Sequence, residues 1–366
     1  MALTLVFIIV FSIAAVIPGV WSVVGLIQGN RSFWPGVVGA GWALALMAVT
    51  VIGVATDWGG CSSNSETSEG GVTCVRGETA TGCKPDVWAL ECRRPSPGCP
   101  SIPPRAFCPA GQKPVFVFCE AIQAGAVKQP WATWSDLAFV AAGLWLLWFF
   151  HYFGTPGTTS WGSTIVSMSA DNPMITIGWL SVTYGLVVIF MGPPSQWFHA
   201  SMKEWGGWVD SMSVVIWLMF NAVYVLYLLV FAMWGKGRGI ARPITILCVW
   251  GGLIILFGFI ALNPDARLYL YFASGGPWGV LELIYVGMAA KSSGVRYRRT
   301  WWLFVINLVL LAVTMTIWIF FNDKIVPPTW CQADESFPGH AVFHILASFS
   351  TILTFVSFAS EQEVSS

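Results

Sequence analysis

Charge is what this chain has least of. Of its 366 residues only 18 are Lys or Arg and 18 are Asp or Glu, 10% in all, against about a quarter in soluble globular domains. With 56% hydrophobic residues, 22 Trp and a mean hydropathy of +0.69, that scarcity excludes an ordinary soluble domain and points to the bilayer. The formal net charge is zero and no nucleic-acid signature is present, so nucleic acid is not an expected partner. No CxxC pair occurs, which disfavours zinc fingers. No basic residue precedes the first apolar run, MALTLVFIIV, which therefore reads as a retained span rather than a signal peptide. Histidine is rarer still, with four in the whole chain.

What is present is apolar sequence in lengths that cross a membrane. A hydrocarbon core of about 30 Å needs roughly 20 helical residues. Such runs can be read near 4–27, 34–56, 131–153, 173–192, 211–234, 243–262, 268–290, 301–321 and 339–358. Lys and Arg collect in short cytoplasmic loops. The loop GKGRGIARP holds Lys236, Arg238 and Arg242, and KSSGVRYRR holds Lys291, Arg296, Arg298 and Arg299. Counting spans from these two places the N-terminus, 58–130, 193–210 and 322–339 outside, and the C-terminus in the cytoplasm. Cysteine usage agrees: Cys61, Cys74, Cys83, Cys92, Cys99, Cys108, Cys119 and Cys331 fall on the expected outer side, with Cys248 alone inside a span. Disulfides persist in oxidising compartments, so that side is extracellular, lumenal or periplasmic.

The expected organisation is all-α and integral to the membrane. Residues 1–57 form a two-span hairpin, 58–130 a disulfide-held extracytoplasmic module rich in Gly, Pro and Ser, and 131–366 a core of seven spans. The six cysteines between 61 and 108 allow 15 connectivities, and the sequence does not choose among them.

The run SFPGHAVFHILASFSTILTF puts His340 and His344 one turn apart at the start of the last span. The segment GPPSQWFHASMKEWGGWVDSMSVV puts Ser195, His199 and Asp210 on the same outer side. A glycine turn at Gly206–Gly207 would return Asp210 to the level of His199, and Pro193–Pro194 would interrupt the helix before Ser195. Ionisable groups inside spans cost about 2.5–3.5 kcal/mol each and tend to face functional cavities. Three imidazoles, a carboxylate and a hydroxyl are the inventory of a catalytic zinc centre. His199, His340 and His344 would be the ligands, Asp210 would hold a water and move its proton, and Ser195 would steady an oxyanion.

These residues resemble a known superfamily. SxxxH, an Asp eleven residues later, and HxxxH opening the last of seven spans are similar to the alkaline ceramidases, the adiponectin and progestin receptors and the GPI-remodelling membrane hydrolases. The resemblance implies zinc on the three His, with Ser195 and Asp210 flanking its water. The run CEAIQAGAVKQPWATWSDLAFVAAGLWLL further resembles the Cys-Glu and Thr-x-Ser-Asn-Leu pattern of alkaline ceramidases, whose site faces outward as expected here. That resemblance implies a Cys119–Cys331 disulfide. It also implies a calcium site of several carboxylates, of which Glu120 alone matches here, with Gln129 where another is expected.

The remaining polar residues take plainer roles. Asp136 and Glu282 lie within spans as structural hydrogen-bond partners, and His151 lies at the inner interface. Trp131, Trp134, Trp197, Trp205, Trp208, Trp301, Trp302 and Trp330 sit near span ends as interfacial anchors. The reading is a zinc-dependent lipid amide hydrolase acting on ceramide or another N-acyl lipid drawn from the bilayer. Its rivals are a zinc esterase of GPI-type lipids, and a receptor or scaffold with structural zinc whose Cys-rich module binds a partner.

Overall fold

The computed structural model describes residues 17–18, 20–24, 27, 34–55, 92–93, 113–114, 116–117, 120–121, 127, 129–153, 172–176, 178–201, 204–233, 241–263, 266–290, 297–298, 300–321 and 339–363. Cys61, Cys74, Cys83, Cys99, Cys108, Cys119 and Cys331 lie outside them, with the disulfides expected of them, as does nearly all of the 58–130 module. His151 is described in its backbone alone.

Helix dominates. The elements are α1 (Trp34–Ala55), α2 (Pro130–Ser135), α3 (Leu137–Phe153), α4 (Pro173–Thr176), α5 (Gly178–Ser201), α6 (Glu204–Met233), α7 (Ala241–Ile260), α8 (Arg267–Ala290), α9 (Trp301–Phe320) and α10 (Gly339–Ala359). Strand is confined, among the described residues, to three antiparallel pairs of two residues each, one of which joins Tyr297–Arg298 to Gln362–Glu363. Among the described residues, four stretches are long and apolar enough to cross a membrane: Trp34–Ile52, Gly206–Val230, Trp301–Phe320 and Gly339–Ala359. They fit a membrane protein, as does the outer face of α7 to α9, where Phe259 is 70% and Trp301 71% exposed. In hydrocarbon a helix satisfies its backbone internally, so such a face carries no unpaired polar group.

Two helices show why sequence and position correspond. In α9, WWLFVINLVLLAVTMTIWIF has no Gly or Pro to interrupt it and presents most of its side chains outward. In contrast, α10 buries Ser348, Ser350, Thr351, Thr354 and Ser357. Several of its hydroxyls return to carbonyls of the same helix, as in Ser350 Oγ to Leu346 O at 3.1 Å and Thr354 Oγ1 to Ser350 O at 2.8 Å. That local bonding lets a polar stripe face the core.

Packing runs α3 on α5, α5 on α6, α6 on α8 and α9 on α10, with α10 closing against α2 and α3 and with α1 against α3 and α5. The central core gathers Tyr184, Trp217, Tyr224, Phe355 and Phe358. Two of its polar groups are paired across helices: Trp217 Nε1 donates to Tyr184 Oη at 3.0 Å, and Tyr184 Oη donates to Thr351 O at 2.7 Å, tying α6, α5 and α10 together.

The expected break at Pro193–Pro194 does not occur. Both prolines lie inside α5, which continues to Ser201. Neighbouring helices compensate for backbone groups that proline frees within a bundle. Gly206 and Gly207 likewise do not make the turn between helices, since both lie in the first turn of α6. They serve close approach instead: a Cβ at Gly206 would sit 3.2 Å from Phe198 Cα. Trp301 and Trp302 are exposed near a helix start as expected, whereas Trp197 is buried in the bundle.

At the end of the bundle away from the histidines, Asn172 acts as a clasp. Its Nδ2 donates to Phe358 O at 2.9 Å, Ala359 O at 3.0 Å and Glu361 O at 3.1 Å, covering carbonyls that the end of α10 leaves open. Its Oδ1 accepts the Met174 N–H at 2.8 Å and so caps α4, with Pro173 in the favoured first position. Asn172→Ala is expected to lower stability by about 2–3 kcal/mol, read as a lower thermal midpoint of purified protein in detergent. An unchanged midpoint would mean that water replaces the amide at no cost.

Candidate metal centre

The site is assembled from four parts of the chain. The last turns of α5 bring Ser195 and His199, the first turns of α6 bring Asp210, and the first turns of α10 bring His340 and His344. The α2–α3 junction brings Ser135 and Asp136. Close approach of α5 to that junction depends on Gly192, where a Cβ would meet Asp136 O at 2.8 Å.

The three imidazoles converge. Ring centroids lie 5.0 Å apart for His199–His340, 5.1 Å for His199–His344 and 4.5 Å for His340–His344. One ligand atom from each falls within 4.8 Å of the others, and all three residues are buried. Tetrahedral bonds of about 2.0–2.1 Å hold their ligands roughly 3.3 Å apart, so a small inward movement of the rings completes a site. Their walls are aromatic: Phe343 stacks on His340 with centroids 5.4 Å apart, and Phe139 lies 6.3 Å from His344.

Hydrogen bonding determines which ring nitrogen is free. Gln129 Nε2 faces Glu120 O at 3.4 Å, which turns Oε1 toward His199 Nδ1 at 2.7 Å. An amide oxygen only accepts, so Nδ1 carries the proton and Nε2 keeps its lone pair. For His344, Nδ1 lies 2.9 Å from Ser135 Oγ and 3.3 Å from Ala132 O. Ser135 Oγ spends its own proton on Ala132 O at 2.8 Å, so toward His344 it accepts, and again Nε2 is left free. Two imidazoles whose Nδ1 is engaged, leaving Nε2 for a ligand bond, beside a third are the donor set that a divalent ion such as zinc uses. The residues present therefore fit a metal ion, whose identity the donors alone do not select.

Asp210 is half-buried, the least enclosed of the group. Ser195 Oγ comes near enough to the carboxylates of Asp210 and Asp136 to act on each. Asp136 itself is fully buried, with Oδ1 3.0 Å from His344 Nδ1. Its expected role as a structural partner therefore falls on a metal-ligand candidate. Gln129 also stands against a ligand candidate: it braces His199 through its side chain and, through its backbone N–H, the His199 carbonyl at 3.0 Å. Both belong to the run that resembles the Cys-Glu and Thr-x-Ser-Asn-Leu pattern, and Asp136 stands where that pattern has Asn. An ionisable residue inside a span was the available signal.

Glu120 has a different task. Its Oε1 accepts the Trp131 N–H at 2.8 Å and its Oε2 the Ala132 N–H at 3.0 Å, capping the exposed donors at the start of α2. Burial pushes its carboxyl up to about 7, against the pull of those two bonds. Glu120 thereby anchors the short helix whose far end presents Ser135 and Asp136 to His344.

Comparison of the chain with family models, with curated proteins and with solved structures finds no match in any of the three, so its own side chains carry the functional argument.

Proposed function

We propose that the chain is an integral-membrane, zinc-dependent hydrolase with a seven-span core, cleaving the amide of ceramide or a related N-acyl lipid that enters from the outer leaflet. The single observation behind this reading is the convergence of His199, His340 and His344 beside Ser195 and Asp210 at one end of an apolar bundle. Its orientation, with the site and N-terminus on the oxidising side and the C-terminus in the cytoplasm, rests on the loop charges and cysteine placement.

A divalent ion held by His199, His340 and His344 would supply Lewis acidity toward a carbonyl oxygen and toward water. The chain's own groups do the rest. Asp210, half-buried beside the histidines, accepts a proton from the attacking water and returns it to the amine nitrogen as the C–N bond breaks. The Ser195 hydroxyl donates a hydrogen bond to the carbonyl oxygen as negative charge develops there. The aromatic wall of Phe343 and Phe139 keeps bulk water from the rings and strengthens every charge interaction among them. The products are a fatty acid and a free sphingoid amine.

The test is release of fatty acid from N-acyl sphingoid lipids by the purified chain. Asp210→Asn is expected to lower kcat/KM by about 10²–10⁴ and Ser195→Ala by about 10²–10³. Full activity in Asp210→Asn would overturn the assigned proton carrier. Hydrolysis of ester but not amide lipids would move the assignment to the esterase class.

A further inference from the structure

The geometry points to Asp136 as the positioning residue that gives this centre its affinity for a divalent cation, acting through His344 and supplying a second negative charge beside Asp210. The inference rests on the metal-binding part of the proposed function and deepens it.

A fully buried carboxylate is costly unless hydrogen bonds or a counter-charge compensate it. Asp136 is 0% exposed, and among the described residues its carboxylate meets only His344 Nδ1, at 3.0 Å, and the nearby Ser195 hydroxyl, neither in full hydrogen-bond geometry. Its neighbour Oδ1 to His344 Nδ1, at 3.0 Å, lies near that nitrogen but off the N–H axis, which Ser135 Oγ and Ala132 O already occupy. Asp136 therefore contributes charge to His344 more than it contributes a directed bond. Negative charge behind Nδ1 makes Nε2 a better donor to a cation on the other side of the ring, the role that carboxylates behind metal-bound histidines commonly play.

Charge counting leads to the same place. Three neutral imidazoles bring no charge to offset a dication, so the nearby acids Asp136 and Asp210 are the groups that would do so, with buried Arg267 close to Asp210 and buried Glu120 close to Asp136. The two acids are linked through Ser195, which lies near both. Without an ion the bundle encloses an under-bonded acid, and a cation on the far side of His344 would offset its charge. Gln129, the corresponding brace on His199, is neutral. The support is thus asymmetric, and His344 is the imidazole whose donor strength the chain raises.

The consequence separates Asp136 from a residue that only holds the fold. Asp136→Asn keeps the shape and an acceptor and removes the charge. Full-length protein in detergent, stripped of metal, is titrated with zinc against a chromophoric chelator, and its thermal midpoint is recorded with and without zinc. Asp136→Asn is expected to bind zinc about 10–100-fold more weakly. Its zinc-free midpoint is expected to equal or exceed that of the parent chain, because a buried uncompensated charge has gone. In cobalt-loaded samples the visible absorption bands should shift between parent and variant, while Gln129→Ala, which removes a neutral brace, weakens zinc binding less than Asp136→Ala. Equal zinc affinity in Asp136→Asn and parent would overturn the inference. A lower zinc-free midpoint with unchanged affinity would overturn it in favour of a structural role. If the parent chain bound neither zinc nor cobalt, the inference and the reading of the centre would fall together. Weaker zinc binding in Asp136→Asn from a parent chain that hydrolyses no lipid amide would support the inference and overturn the hydrolase reading alone.

Discussion

Protein purified with His340 replaced by alanine is expected to carry almost no zinc, where the parent chain carries about one ion per molecule. Structural zinc sites hold their ion with roughly 10–16 kcal/mol of apparent free energy. Loss of one imidazole from three removes about 3 kcal/mol or more of that, beyond a hundredfold in affinity. His199→Ala and His344→Ala should behave alike, because the three rings are mutually adjacent, with centroids 4.5 to 5.1 Å apart. Lipid-amide hydrolysis should vanish with the metal. The control is His151→Ala, since the sequence sets His151 at the other end of its span from the site. Elemental analysis of the four variants decides the matter: zinc retained in His340→Ala would remove that ring from the centre, and zinc lost from His151→Ala would show that the losses are not local.

The second large effect concerns two glycines that look alike in the sequence. Gly143 and Gly251 both lie inside long apolar helices, where alanine is the better helix former by about 1 kcal/mol. Their surroundings are opposite. A Cβ at Gly143 would lie 2.7 Å from Gly185 O and 2.8 Å from Ile189 N, both backbone atoms of α5, whereas a Cβ at Gly251 would meet nothing within 4 Å. Small residues let helix backbones come this close where lipid offers no hydrophobic drive to associate. Gly143→Ala therefore has to push α3 from α5, an overpacking effect of about 1–3 kcal/mol that exceeds the gain in helix propensity. Gly251→Ala should leave the thermal midpoint unchanged or slightly raised. The effect at Gly143 should extend to the metal centre, since α5 carries His199 and α3 continues from Asp136. Equal midpoints for the two variants would mean that α3 and α5 do not cross at Gly143.

How much was legible beforehand differs from residue to residue. His340 and His344 were readable as a pair because helical spacing puts positions one turn apart on one face. Their meeting with His199 was inferable only from shared sidedness and from the motif resemblance, since more than a hundred residues separate them. The course of α5 through Pro193 and Pro194 was not legible, because a local rule about proline is overruled by packing on both sides. The purpose of Gly206 and Gly207 was missed for a related reason. Glycine marks a turn and a close contact equally well, and only the position of Phe198 distinguishes them.

By itself the sequence pointed to apolar helices that fit a membrane protein, four of which are long enough to cross one among the described residues, and to the histidines that cluster. Those follow from composition and from periodicity along a single helix, which are local properties of a chain. Only the tertiary structure decided that Gln129 braces His199 and that Asp136 stands 3.0 Å from His344. Such contacts join residues 70 and 208 positions apart, and they exist because glycines let α3 and α5 touch and because α10 closes on the α2–α3 junction. No pattern within one segment encodes that distance.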